Sequence, residues 1–206
     1  MRVNGVEKQV RPSRVPAWYT LLQYIETTAT SGTNWQILQT WINLSSNYVQ
    51  FDFKFRPLAL RNSDNFFFAS DRANLTYEYN NWYQLFNIAS SSSLFKTSMS
   101  VDTDYTMNMK LNNGTMTLNN SSVSYSWSVS WHQNICFSWY YGNSAIVCSK
   151  NRRYYIKIYT WSSFDLVRDY VPMKRNSDSA AWMYDLVNNV FYTSVANWNF
   201  VAWPEA

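Results

Sequence analysis

The heptapeptide YSWSVSW, residues 125–131, alternates strictly between ring or aliphatic side chains and serine hydroxyls. Successive side chains of a β-strand point to opposite faces, so this segment has one apolar and one polar face. Residues 49–56 (VQFDFKFR) and 105–111 (YTMNMKL) alternate in the same way. The three segments predict strands of a sheet that packs on a core with one face and contacts water with the other.

Further segments are rich in aromatic and β-branched residues, which favour strands. They lie at residues 66–70, 75–79, 82–88, 135–140, 145–148, 154–161, 166–171, 182–186 and 190–193. Asn113-Gly114 stands between two alternating runs and predicts a hairpin. Helical periodicity is weak: residues 20–25 predict at most one turn, and the serine run at residues 90–93 predicts a loop. About a dozen short strands with little or no helix indicate an all-β sandwich or barrel.

The 206 residues contain no linker, and all-β domains of this length are common, so we expect one domain at residues 17–206. A polar, basic amino-terminal arm, residues 1–16, precedes it. The arm has no apolar stretch of the kind that follows the charges of a secretory signal, which predicts synthesis in the cytoplasm. We expect no membrane insertion, since no run of about 18 apolar residues occurs.

The sequence lacks the residue patterns of common catalytic sites. Its four glutamates are isolated, whereas glycoside hydrolases of sandwich folds need paired carboxylates. The single histidine, His132, has no nucleophile motif around it. One histidine and two cysteines, Cys136 and Cys148, do not form a common zinc site, and a bridge between these cysteines does not follow from the sequence. We therefore expect a protein that is not an enzyme and needs no cofactor.

Calcium is the one metal that the composition leaves open. Carboxylate oxygens suit Ca²⁺, and Asp64, Asp71, Asp102 and Asp104 are weak candidates, although no EF-hand spacing is present. Asp102 and Asp104 share a strand face where a loop enters a strand, and a solvated edge is the favoured interpretation.

Aromatic residues make up 19% of the chain and charged residues only 15%. Rigid rings beside short polar groups are typical of binding surfaces, and Trp and Tyr faces stack on sugars. The candidates for contact with a glycan or partner are Trp35, Trp41, Trp82, Tyr83, Trp139, Tyr140, Tyr141 and Trp161. Most of them equally suit a core or a subunit interface, and the composition also favours a homo-oligomer. The net charge of +4 is too dispersed to indicate nucleic-acid binding.

Three segments carry a family resemblance. WYTLLQYIE at residues 18–26, YIKIY and LVRDYVP within residues 155–172, and MYDLVNNVFYT at residues 183–193 occur in this order. Together they resemble the opening, middle and closing motifs of the concanavalin/laminin-G-like jelly-roll domain of phage structural proteins and gut-bacterial surface proteins. The resemblance implies a two-sheet antiparallel jelly-roll sandwich. It also implies that Arg168 and Asp169 pair or cap a strand end, and that Tyr184 and Asp185 lie at a turn.

Such domains are mostly glycan-binding or adhesive modules without a catalytic set. The resemblance therefore implies a non-enzymatic phage virion surface protein: a capsid decoration, head-fibre or tail component with adhesion to host glycans. Its partners would be other virion proteins, contacted through residues 1–16 and the aromatic surface. The alternative is a carbohydrate-binding module of a bacterial surface protein.

Overall fold

The computed structural model describes residues 15–27, 38–39, 49–59, 65–69, 74–80, 83–88, 91–97, 99–110, 114–124, 136–137, 140–141, 144–145, 150–160, 163–192 and 200–205. The described residues form nineteen β-strands and no helix, and every pairing between strands is antiparallel. The all-β prediction is thus confirmed. Nothing in this part of the chain could cross a membrane as an apolar helix.

The strands are β1 Tyr19–Leu21, β2 Ile25–Thr27, β3 Leu38–Gln39, β4 Val49–Pro57, β5 Asn65–Ala69, β6 Asn74–Asn80, β7 Tyr83–Ile88, β8 Ser91–Thr97, β9 Tyr105–Lys110, β10 Thr115–Leu118, β11 Ser121–Ser124, β12 Cys136–Phe137, β13 Tyr140–Tyr141, β14 Ser144–Ala145, β15 Asn151–Thr160, β16 Leu166–Arg175, β17 Ala181–Asp185, β18 Val190–Tyr192 and β19 Val201–Ala202.

The strands form three sheets. The large sheet has eleven strands, with the main order β11-β10-β9-β4-β15-β16-β17-β18 and β1, β2 and β19 attached beside it. A six-stranded sheet has the order β3-β12-β5-β6-β7-β8, and β13 pairs only with β14. For β5–β8 and β12–β14, only the backbone is described.

The alternating segments form the centre of the large sheet. Phe51, Phe53 and Phe55 of β4 are buried, and the residues between them are only partly covered. Met107 and Met109 of β9 lie on the same buried face. This face forms a core cluster, whose largest fully buried side chains are Tyr170, Phe51, Phe55, Ile25 and Leu38. The strands predicted at residues 49–56 and 105–111 are confirmed, whereas residues 125–131 lie outside the described part.

The β9–β10 hairpin confirms the prediction from Asn113-Gly114. β9 ends at Lys110 and β10 begins at Thr115. Glycine is required at position 114 for space: a Cβ there would lie 2.2 Å from the backbone oxygen of Lys110.

Residues 20–25 form no helical turn, which agrees with the prediction of at most one, because β1 and β2 extend to pair with β16 and β15, more than 120 residues away. One sequence prediction is wrong, the loop at the serine run. Three serines of the run at residues 90–93 begin β8, since Ser91 pairs with Ile88 and the strand continues along β7. In both segments, pairing with another strand overrides a weak local preference.

The amino-terminal strands fill a gap within the large sheet. β15 and β16 form a hairpin, but they pair only near their connection, from Ile156↔Tyr170 to Tyr159↔Leu166. Beyond this point β2 pairs with the start of β15, and β1 pairs with the end of β16. β19 then pairs with β2, so both end segments of the described chain lie within the large sheet.

Residues 15–21 also cover an outer cluster on the opposite side of the large sheet from the core cluster. Val171, Met173 and Tyr184 are buried there, and residues that pack on them include Val15 and Tyr19. Val15, which belongs to the segment that we predicted to be the arm, therefore packs on the large sheet. Residues 1–14 lie outside the described residues.

Asp185 ends β17 and organises the turn to β18, in agreement with the role implied by the resemblance. Its fully buried carboxylate accepts hydrogen bonds from the backbone N–H groups of Asp169 and Val187 at 3.0 Å and from the Asn188 side chain at 2.6 Å. Arg168 Nε lies 3.5 Å from Asp185 Oδ2. Arg168 thus pairs with Asp185, on the neighbouring strand.

Candidate functional site

The aromatic residues predicted to contact a ligand fall largely outside the described part of the chain. Trp35, Trp41, Trp82, Trp139 and Trp161 all lie there. Of the others, Tyr83 begins β7, while Tyr140 and Tyr141 form β13, described as backbone only. For these residues, ligand contact stays a prediction.

The acidic residues predicted for calcium do not form a metal site in the described part. No group of three His, Cys, Asp or Glu side chains comes together among the described residues. Asp104 is instead bound to Lys54 and Arg56, whereas Asp102 is exposed and has a positive φ of 57°. Asp64 and Asp71 lie outside the described residues, so calcium stays a prediction there.

The large sheet presents a charged and aromatic surface on the side opposite the core cluster. Because Phe53 and Phe55 are buried, alternation along β4 turns Lys54 and Arg56 to this outer side. Arg152 of β15 lies directly opposite Arg56 in the strand register, and Glu26 of β2 lies opposite Arg152 on its other side. The strand register thus places charges from β2, β15 and β4 side by side.

Asp104, just before β9, is the meeting point of three donors. Lys54 Nζ lies 2.9 Å from Oδ2, and Arg56 Nε and Tyr154 Oη lie 2.6 and 2.8 Å from Oδ1. Partial burial raises the pKa of Asp104, but hydrogen bonds from Arg56, Lys54 and Tyr154 outweigh burial and lower the pKa to about 2. Asp104 is therefore ionised at neutral pH, and its hydrogen bond also raises the pKa of the Arg56 guanidinium.

A β-bulge brings Tyr154 to this carboxylate. In the pairing of β15 with β4, Arg153 faces Phe55 and Tyr155 faces Lys54, so Tyr154 is the extra residue. A bulge bends its strand and changes the direction of a side chain, and here it occurs where β15 diverges from β16. Burial raises the pKa of Tyr154, as does its hydrogen bond to Asp104, so the phenol is neutral and acts as a donor.

Tyr154 is the first of three neighbouring rings that extend across β2 toward the carboxyl end of the chain. The Tyr24 ring lies 5.5 Å from Tyr154, edge to face, and 6.1 Å from Trp203, in a stacked arrangement. We call Tyr154, Tyr24 and Trp203 the ring row. Trp203 is 40% exposed, so one end of the ring row is open to solvent.

Cations lie over the ring row. The Arg152 guanidinium carbon is 4.6 Å from the Tyr24 ring centre and 5.9 Å from the Trp203 ring centre, and Lys54 Nζ is 4.5 Å from the Tyr154 ring centre. Arg152 Nε also donates a 2.7 Å hydrogen bond to Glu26, which raises the pKa of Arg152. The cations hold the rings in place, because both the ring faces and the carboxylates attract them.

The sequence did not single out the ring row. Tyr24 lies in the opening motif of the resemblance, but Tyr154 and Trp203 carry no local signal. Their proximity depends on the pairing of β2 with both β15 and β19. Alternation identifies the face of a strand, whereas the neighbours on that face follow from the register.

Comparisons of the chain with protein-family models, with curated proteins and with solved structures find no match.

Proposed function

We propose that this protein is a non-enzymatic phage virion surface protein, a capsid decoration, head-fibre or tail component, whose jelly-roll domain adheres to host glycans. The observation that carries the adhesive role is the ring row, with Trp203 40% exposed. Tyr154 lies in β15, while Tyr24 directly precedes β2 and Trp203 directly follows β19. Residues attached to strands are held more firmly than residues within long loops.

The sheet arrangement supports the jelly-roll part of the proposal. A jelly roll needs two antiparallel sheets that share a core. The large and six-stranded sheets are both antiparallel, and Leu38 of the smaller sheet is fully buried within the core cluster of the large one. The three segments that resemble the jelly-roll family also come together, since they form β1 and β2, β15 and β16, and β17 and β18.

The chemistry of the ring row suits a sugar better than an apolar ligand. The faces of Trp and Tyr pack against the C–H groups of a pyranose ring, and nearby polar groups bond to its hydroxyls. The carboxylates and guanidinium groups around Tyr24 and Tyr154 supply acceptors and donors. A purely apolar ligand would leave these groups desolvated without partners, which is costly.

A glycan array with the purified full-length protein tests the adhesive role. We expect binding by the wild type, and at least about a fivefold loss for Trp203→Ala, since stacking on an aromatic ring contributes on the order of 1–3 kcal/mol. Trp18→Ala is the matched control, because Trp18 is 76% exposed but lies outside the ring row. Absence of glycan binding, or equal loss in both variants, would refute the role of the ring row.

A carbohydrate-binding module of a bacterial surface protein is the second candidate, and the ring row favours it equally. The two candidates differ in where the protein resides. Mass spectrometry of purified virions detects the chain if it is a virion protein, and its absence there combined with glycan binding would favour the bacterial module. Light scattering of the purified protein tests the predicted homo-oligomer separately.

A further inference from the structure

We infer that the ring row accepts an acidic glycan, and that Arg56 and Arg152 together bind the negatively charged group of the sugar. This inference depends on the proposed adhesive role and specifies its ligand class. A neutral part of the glycan would stack on Tyr24 and Trp203, and the acidic group would lie between β4 and β15.

The first argument is the position of the two arginines. Arg56 and Arg152 are direct cross-strand partners on the outer side of the large sheet. Like charges directly opposite each other destabilise a sheet. The hydrogen bond to Glu26 raises the pKa of Arg152, and the charge of Arg56 opposes that rise. Local arrangements that reduce stability are typical of functional sites. An anion bound between the two arginines would attract both of them and so offset their mutual repulsion.

The second argument is the set of donors that the two arginines present. Lys54 and Arg56 pair with Asp104, and Arg152 pairs with Glu26, while Asp102 also acts electrostatically on Arg56. The hydrogen bonds described for both guanidinium groups use Nε. Their Nη groups therefore provide donors for a planar carboxylate or a sulfate, which guanidinium binds through two parallel hydrogen bonds.

The third argument is that Arg152 connects the charged and aromatic parts. Its guanidinium lies 4.6 Å from the Tyr24 ring centre and within 6 Å of Trp203, while its Nε is fixed by Glu26. A sugar on Trp203 thus lies beside a cation whose position is already set. Such preorganisation reduces the entropy lost when the acidic group binds.

Matched glycan pairs test the inference. The array carries each neutral oligosaccharide with and without one sialic acid, uronic acid or sulfate, and titration calorimetry then measures the strongest pair. We expect the acidic member to bind at least about tenfold more tightly, the effect of one hydrogen bond to a charged group. The sialylated, uronate and sulfated pairs distinguish a carboxylate from a sulfate as the bound group.

Variants locate the effect. Arg56→Gln and Arg152→Gln should each remove most of the preference for the acidic member, while Arg152→Lys should retain part of it. The matched control is Arg175→Gln: Arg175 also lies over a ring, 4.6 Å from Trp182, and pairs with Asp178, but it is outside the ring row. Circular dichroism establishes that each variant is folded.

A measurement on the wild type needs no substitution. The preference for the acidic glycan should decrease as salt is raised from about 50 to 500 mM, because exposed charges are screened. Equal binding of neutral and acidic members, or a preference that survives both Gln substitutions, would overturn this inference and leave the adhesive role standing. Failure to bind any glycan would overturn both.

Discussion

Tyr154 Oη donates a 2.8 Å hydrogen bond to Asp104 Oδ1, across 50 positions of sequence. The bond joins the bulge of β15 to the loop before β9, and the same carboxylate oxygen accepts a bond from Arg56 of β4. Asp104 therefore fixes the charged end of the ring row relative to the central strands of the large sheet.

Tyr154→Phe should lower the free energy of unfolding by about 1 kcal/mol, the net contribution of a partly buried hydrogen bond. The ring remains and still packs on Tyr24, so the fold should not change. Urea denaturation measures the difference, and an unchanged midpoint would show that the hydrogen bond contributes nothing.

Because of Asp104, the free energy of unfolding should depend on pH in the acid range. Its pKa is lowered in the folded state to about 2 from 3.8, so the contribution is complete above about pH 4 and is lost as the pH falls toward 2. Because the group is largely solvated, we expect about 1 kcal/mol or less. The difference in unfolding free energy between the wild type and Asp104→Asn, measured from pH 5 to pH 2, should shrink across this window. A constant difference would contradict the prediction.

Asp185→Ala should destabilise the protein by about 3 kcal/mol, because two backbone N–H groups lose a buried acceptor and Arg168 loses its ion-pair partner. Asp178→Ala is the control: Asp178 also pairs with an arginine, but on the exposed β16–β17 turn. We expect little change in stability for this exposed pair. Thermal unfolding of both variants measures the contrast, and equal effects would exclude Asp185 as an organiser of its turn.

Ile25→Ala should cost about 3 kcal/mol or more, since Ile25 is fully buried in β2 within the gap between β15 and β16. Val201 of β19 pairs beside it but is 37% exposed, so Val201→Ala should have a much smaller effect. Guanidinium titrations compare the two. Similar losses would mean that β2 does not bury its apolar side chain as described.

Gly114→Ala should destabilise the β9–β10 hairpin by about 1–3 kcal/mol, because its new Cβ must displace the Lys110 carbonyl. Asn120→Ala, at the exposed turn between β10 and β11, is the control and should be nearly neutral. Thermal unfolding distinguishes them, and a neutral Gly114→Ala would show that the loop adjusts freely.

The sequence predicted those parts of the fold that depend on local pattern. Alternation in β4 and β9 gave the buried faces correctly, and Asn113-Gly114 gave the hairpin. β1 and β2 were missed because three residues carry too little periodicity, and they are strands only through their distant partners. The ring row was missed for the same reason, since Tyr24, Tyr154 and Trp203 meet through pairing across the whole chain.

The insertion of β2 between β15 and β19 has a consequence for how the chain folds. β2 is made early, but its first sheet neighbour begins at Asn151 and its second at Val201. Until those residues have left the ribosome, β2 and its buried Ile25 have no native sheet partner. Contacts over such separations slow folding, and the large sheet closes around β2 only after both of these partner segments have been made.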